Sequence, residues 1–203
     1  MFAVGSHDQF IDQIKRGREE SSSVFGVLLA DVRQPDTRNY ILNYLDRFHK
    51  QSGKYIDFYI PGYFKENIPF YNTESIELED KKYYFSGKEY DNFADKFSKE
   101  FNLESKGVPV LYLIEWEKGI NFKKSKILEI DLDGGEYSIK MTVTLFKKIF
   151  DLAKSEDLLG INNRLVLDSL FSYIKENLVN DMGIPLLIVS NNIGKIILKF
   201  RGR

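Results

Sequence analysis

The sequence contains no cysteine, and this absence excludes a whole group of functions. Without a thiol the chain can form no disulfide, bind no zinc ion or iron–sulfur cluster through thiolates, and use no cysteine nucleophile. Thiol oxidoreductase chemistry is therefore excluded. Histidine is almost as scarce, because His7 and His49 are the only two and are too few for a histidine-rich metal site. We predict neither a cofactor nor a metal site, although the composition leaves a site built from carboxylates alone open.

The sequence also lacks long apolar runs and an excess of either charge. Its longest apolar stretches, such as residues 24–30, are too short to cross a bilayer. The first eight residues have neither the basic start nor the apolar length of a signal peptide. Lysine and arginine number 29 against 30 acidic residues, so no overall field attracts nucleic acid or an anionic membrane. We therefore predict a soluble cytoplasmic protein without membrane contact, and the abundance of Lys, Ile, Asn and Tyr is compatible with a bacterial source.

Helical and strand patterns alternate along the chain and predict an α/β fold. Phe10 and Ile14 lie four residues apart and indicate a helix over residues 7–17, which the buried strand 24–30 follows. A second helix over 37–51 and a strand over 55–60 then complete a strand–helix–strand unit, for which a parallel crossover is the rule. Further elements are a helix over 88–104, an antiparallel hairpin of strands 109–115 and 127–132, and a helix over 142–154.

The chain length of 203 residues favours one domain with an extension over two independent domains. We assign residues 1–155 to the α/β unit and residues 156–203 to an extension packed on it. The extension is predicted to contain a helix that has apolar residues from Leu167 to Leu178 on one face and is closed by Gly183, and a β-hairpin of strands 186–189 and 195–200. No period holds between Tyr63 and Phe85, so this stretch is predicted to be a long loop or irregular insertion.

Two proline-containing segments stand out within this element order. They are Arg33-Gln34-Pro35-Asp36 after the first buried strand and Gly107-Val108-Pro109-Val110-Leu111 at the start of the hairpin. Together with the element order over residues 7–154, they resemble the thioredoxin fold, in which a Cys-Gly-Pro-Cys turn and a cis-proline occupy these places. Proline is retained at position 35 and both cysteines are replaced, so the resemblance extends to the fold and not to the redox chemistry.

The resemblance implies a central mixed sheet flanked by helices and a groove between the two segments, where related proteins hold an extended peptide or a thiol cofactor. It also implies a cis peptide bond before Pro109. The predicted binding residues are Arg33, Gln34, Pro35, Asp36, Val108 and Pro109. Arg33 beside a helix amino terminus could instead bind an anion. Asp36 works against that interpretation, because as an N-cap its own carboxylate would accept hydrogen bonds from the same amides.

Aromatic residues are concentrated between positions 55 and 90. This segment holds eleven of the chain's 29 aromatic residues (1 Trp, 12 Tyr and 16 Phe), where uniform placement would put about five. A surface built from such rings could bind a peptide, a base or a sugar. Its candidate residues are Tyr63, Phe64, Tyr71, Tyr83 and Tyr84. The interpretation we favour is structural, namely that the rings fasten a long insertion to the core.

No nucleophile elbow, Ser-His-Asp arrangement, dinucleotide fingerprint or zincin motif is present, so no enzyme class is indicated. The leading hypothesis is a non-redox thioredoxin-like module that binds a protein or peptide partner. One alternative is an enzyme or sensor that binds a small anionic ligand near Arg33. Another is a nucleic-acid-binding subunit that uses two basic stretches, which we regard as solvated surface instead. These stretches are Lys118, Lys123, Lys124, Lys126 and Lys195, Lys199, Arg201, Arg203. Homo-oligomerisation stays open.

Overall fold

The described part of the chain forms two β-sheets, three helices that are named below, and further helical fragments. The computed structural model describes residues 2–16, 22–35, 37–38, 42, 45, 49–50, 56–65, 75–78, 81–104, 107, 109–117, 121–132, 146–153, 158–161, 163–165 and 198–201. In chain order the elements are β1 (Phe2–Val4), α1 (His7–Arg16), β2 (Ser22–Leu29), β3 (Asp57–Pro61), β4 (Tyr63–Phe64), β5 (Ser75–Leu78), β6 (Lys81–Phe85), α2 (Gly87–Phe101), β7 (Val110–Glu117), a 3-10 turn (Phe122–Lys124), β8 (Lys126–Asp131), α3 (residues 146–152) and β9 (Leu198–Arg201).

The larger sheet is mixed and has the strand order β1-β3-β2-β7-β8-β9. β3 lies between β1 and β2 and runs parallel to both. β7 is antiparallel to β2, and β8 and β9 follow in antiparallel pairs. The predicted α/β class, the parallel pairing of the first two predicted strands and the antiparallel hairpin are thus confirmed. β1 was not predicted, because three residues are too few to show a period of two.

Both faces of this sheet are covered by apolar side chains. Phe25, Val27 and Leu29 of β2 lie in a core shared with α1 and α2, whereas Leu28 lies in a second core that includes α3. A strand buried on both faces carries apolar residues at every position, which explains why residues 24–30 form a continuous apolar run.

The helices α1 and α2 form close to their predicted positions, and side chains cap their amino ends. Ser6 Oγ accepts a hydrogen bond from the N–H of Gln9 at 3.2 Å, and Ser86 Oγ accepts one from the N–H of Glu89 at 3.3 Å. α2 ends at Asn102, whose φ of 54° is the left-handed conformation that commonly terminates helices. These caps fix the helix that forms one wall of the site described below.

Residues 63–85 contain a small antiparallel sheet of strand order β4-β6-β5, so the prediction of an irregular loop is wrong for the described part of this stretch. β4 has two residues and β5 has four, which is too short for alternation to be recognised in a sequence. Ile76 and Phe85 are buried and attach this sheet to the core that includes α3.

The chain leaves the main fold to form the inserted sheet, and returns to the main fold, next to Gly62. The Gly62 N–H donates a hydrogen bond to the Val4 carbonyl at 2.9 Å, and the Gly62 carbonyl accepts one from the Ser86 N–H at 2.9 Å. Gly62 has a φ of 85°, which glycine adopts without the strain that a side chain would cause. The end of β3 and the start of α2 therefore meet at the base of the insertion.

The carboxyl-terminal part is described only in fragments. Residues 158–161 and 163–165 are helical, and β9 adds to the edge of the large sheet beside β8. The predicted helix 167–178 and strand 186–189 lie outside the described residues. In the described ranges, none of the helices combines the length and the apolar character needed to cross a membrane.

Candidate functional site

A pocket of about 310 Å³ opens at the carboxyl end of β2. The end of β2, one face of α2 and the start of β7 form its walls. The apolar lining residues are Leu29, Ala94 and Val110, which also belong to or pack against the core under α1 and α2. Ligands of open α/β sheets commonly bind beyond the carboxyl ends of strands. The pocket therefore lies where the fold favours binding.

The chain after β2 makes a tight turn that brings polar side chains to this pocket. Asp31 Oδ1 accepts the Arg33 N–H at 2.9 Å, and the Asp31 carbonyl accepts the Gln34 N–H at 3.0 Å. An aspartate that accepts the N–H two residues ahead is a common turn-forming device. Asp31 and Gln34 both line the pocket, and Pro35 follows as an exposed, helical residue.

The side chain of Gln34 connects this turn to the second predicted segment. Its Nε2 donates a hydrogen bond to the carbonyl of Gly107 at 2.9 Å, across 73 residues of sequence. Pro109 is buried, and its carbonyl accepts the Leu132 N–H at 2.8 Å. The predicted binding residues Asp36 and Val108 lie outside the described residues. The cap at Asp36 and the cis bond before Pro109 accordingly stay predictions.

Arg33 is held by two carboxylates. Its Nη2 lies 2.7 Å from Asp31 Oδ2, and its Nη1 lies 3.1 Å from Asp91 Oδ2. The guanidinium carbon also lies 5.9 Å from the centre of the Tyr90 ring. The hydrogen bonds that Arg33 donates to Asp31 and Asp91 raise its pKa above its already high usual value. An anionic ligand would have to compete with these carboxylates, so the geometry favours a structural role for Arg33 over anion binding.

The pocket carries an excess of negative charge. Asp31, Asp91, Asp95 and Glu104 line it. Arg33 neutralises part of this charge, and Lys99 Nζ pairs with Asp95 Oδ2 at 2.6 Å. Among the described residues, four carboxylates and two positively charged side chains thus lie at this site. The resulting field attracts cationic groups and repels anionic ones.

Two tyrosines complete the lining, Tyr90 from α2 and Tyr112 from β7. Burial raises the pKa of both phenols, and nearby carboxylates add to the shift: Asp31 beside Tyr90, and Glu129 with Asp131 beside Tyr112. Both hydroxyls are therefore protonated at neutral pH and poorly suited to acid–base catalysis there.

The aromatic residues of the insertion serve mainly to pack it. Tyr63 is buried against Phe85 with ring centroids 5.1 Å apart, and Tyr83 packs on the core that includes α3. Phe64 lies over Gly5 so closely that a Cβ there would be 2.3 Å from its ring. Tyr84 is half-buried, with Lys82 Nζ 5.5 Å from its ring centre. These contacts favour the structural interpretation of the aromatic surplus. Tyr71 lies outside the described residues.

The basic stretches offer little support for nucleic-acid binding in the parts that are described. Lys123 and Lys124 are exposed, but Lys126 Nζ pairs with Glu115 Oε1 at 2.7 Å. Trp116 and Phe122, the rings nearest in sequence, are buried and stack on each other at 5.0 Å. They are not available for base stacking. Lys199 and Arg201 lie on β9, and Lys118, Lys195 and Arg203 lie outside the described residues.

Sequence reasoning located the turn but missed the helical wall of the pocket. Asp91 and Asp95 lie four residues apart, which places them on one face of α2 beside Tyr90 and Ala94. That spacing is a usable signal. It does not reveal which strand the face meets, and an exposed stripe of charge is the ordinary outcome for such a pattern.

Comparison of the chain with protein-family models, with curated proteins and with solved structures finds no significant match. Within the described ranges, no group of three or more His, Asp or Glu side chains is arranged to hold a metal ion. The case for a function therefore rests on the geometry of the pocket.

Proposed function

We propose that this protein is a non-redox binding module that recognises an extended segment of a protein partner at the pocket between β2, α2 and β7. The observation that best supports this proposal is the hydrogen bond from Gln34 to the Gly107 carbonyl. It joins the two predicted segments next to the pocket. A hydrogen bond between distant segments helps to preform the site, and preformed sites lose less entropy on binding.

We also propose a thioredoxin-like arrangement for the central sheet. The parallel β2 and β3, the antiparallel β7 and β8, and helices on both faces agree with the element order on which the resemblance rests. The turn of Gln34 and Pro35 follows β2 in this arrangement, and Pro109 directly precedes β7. Under this proposal the small sheet of residues 63–85 and the strand β9 are additions to the basic fold.

The shape and chemistry of the pocket support binding of a side chain from such a segment. A volume of about 310 Å³ accommodates one large side chain, and the apolar lining of Leu29, Ala94 and Val110 rewards its burial. The raised pKa values of Tyr90 and Tyr112 make both phenols poor general bases at neutral pH. We therefore favour a binding module over an enzyme.

The test is selection of binding peptides from a randomised heptapeptide phage library on the full chain, followed by affinity measurement with synthetic peptides. Ala94→Phe fills the pocket with a ring and is expected to weaken binding at least tenfold. Asn92→Phe adds the same ring to the exposed face of α2 and serves as the matched control, with an expected change below twofold. Ser98→Tyr, at a half-buried lining residue, gives a second blocking variant if Ala94→Phe does not fold.

The result against this function would be equal affinity in the parent chain and in the two blocking variants, with thermal melts showing that the variants fold. Loss of binding in Tyr84→Ala with no loss in Ala94→Phe would instead place the site on the inserted sheet.

A further inference from the structure

The lining of the pocket suits a side chain with an apolar stem and a charged end. Leu29 and Val110 come from neighbouring strands and Ala94 from the helix above them, so the floor is apolar while the rim is polar. The aliphatic stems of lysine and arginine bury well on such a floor while the charged head stays near water. An acidic side chain has a shorter stem and would carry its charge among carboxylates.

The carboxylates on the rim of the pocket differ in whether they already form ion pairs. Asp31 and Asp91 are already occupied by Arg33. On the other side, Asp95 is exposed and has Lys99 as its partner, and Glu104 is exposed with no ion pair to any residue in the described ranges. A further cation is therefore best placed near Asp95 and Glu104.

A cation next to the pocket, Arg33, is already bound by side chains that belong to the lining. The Arg33 guanidinium lies between two carboxylates and over the ring of Tyr90. Cations bind over aromatic faces because the ring presents negative charge there. Tyr112 lies in the same lining but is itself buried, so it forms part of the cavity wall and adds no further exposed ring face for a cation.

We infer that the partner segment is basic, and that a lysine or arginine side chain enters the pocket between Tyr90 and Tyr112 with its charge near Asp95 and Glu104. This inference rests on the proposed function and names the chemistry of the partner that the proposed site selects. The carboxylates alone would not make a site. The apolar cavity provides the place for a side chain, and the charge selects which one.

The experiment extends the peptide selection on the full chain. Selected heptapeptides are expected to be enriched in Lys and Arg, and each is resynthesised with citrulline for arginine or norleucine for lysine. These replacements remove the charge and keep the stem. Because an exposed charge pair changes an equilibrium by roughly two- to fivefold, a residue that meets two carboxylates should lose about tenfold in affinity on neutralisation.

Variants of the protein test the same contact from the other side. The double change Asp95→Asn and Glu104→Gln is expected to weaken binding of the basic peptides by about tenfold and to reduce the salt dependence of the affinity. The matched control is Asp12→Asn with Glu77→Gln, which removes two exposed carboxylates outside the pocket. Its affinity should stay within twofold of the parent chain.

The possible failures separate this inference from the proposed function. Selected peptides without basic enrichment, or unchanged affinity in the Asp95→Asn and Glu104→Gln variant, would overturn the basic occupant. If those peptides still lost affinity in Ala94→Phe, the binding function would stand with a neutral or acidic partner. If no peptide were enriched, or if Ala94→Phe bound as well as the parent chain, both proposals would fail.

Discussion

Replacement of Arg33 by glutamine tests how firmly the turn after β2 is attached to α2. The guanidinium makes a bidentate contact with Asp31, whose side chain is 13% exposed, and a second pair with Asp91, which is 60% exposed. The contact with Asp31 is worth about 1–1.5 kcal/mol because the carboxylate is largely buried, and the exposed pair about 0.3 kcal/mol. The Tyr90 ring adds about 0.5 kcal/mol. Arg33→Gln should therefore lower the free energy of unfolding by about 2 kcal/mol.

Urea unfolding of a double-mutant cycle measures each part of this value. The single changes are Arg33→Gln, Asp31→Asn and Asp91→Asn, and the coupling between Arg33 and Asp31 should exceed that between Arg33 and Asp91 by about 1 kcal/mol. The exposed pair of Arg16 and Asp12 is the control and should couple by at most about 0.5 kcal/mol. Equal coupling of Arg33 to both carboxylates would refute the reasoning, because it would mean that burial of Asp31 does not strengthen the pair.

Three further predictions concern the framework that holds the pocket. Gly26→Ala should lower the free energy of unfolding by about 1–3 kcal/mol in urea, because a Cβ there would lie 2.5 Å from the Phe58 ring; Gly107→Ala has nothing within 4 Å and should cost far less. Burial lowers the pKa of His7, so the unfolded state binds more protons and stability should fall as pH drops below about 6.5; a pH series should show this slope vanish in His7→Phe. Ser86→Ala removes the cap of α2 and should cost about 1 kcal/mol in a thermal melt, and an unchanged melt would argue against the cap.

Elements with strong local patterns could be predicted from the sequence. Residues 24–29 of β2 are continuously apolar because the strand is buried on both faces, and α2 has Phe93, Phe97 and Phe101 four residues apart because these rings face the core. Such patterns arise within one element and need no knowledge of its neighbours. The turn after β2 was predicted for the same reason, since proline next to polar residues is a local signal.

Features that depend on contacts between distant segments could not be predicted. An arginine in an exposed turn is expected to contribute little to stability, and only the folded chain shows that Asp91, 58 residues away, pairs with Arg33. The pocket has the same origin, because its floor forms where the face of α2 that carries Ala94 meets the start of β7. The strands of the insertion are too short for a period to appear, although their pairing partners are clear once the chain is folded.

The hydrogen bonds at Gly62 have a consequence for how the protein can vary. β3 ends and α2 begins at the same place, so the residues between them form an insertion whose two ends lie together. The length of this insertion therefore does not determine the position of α2. Related chains in which this insertion is longer, shorter or absent would keep the distance between Tyr90 and β2 that shapes the pocket. A tag or a fused domain is better inserted beyond the exposed Lys65 than at Gly62 itself, because Gly62 is buried and both of its backbone groups are hydrogen-bonded.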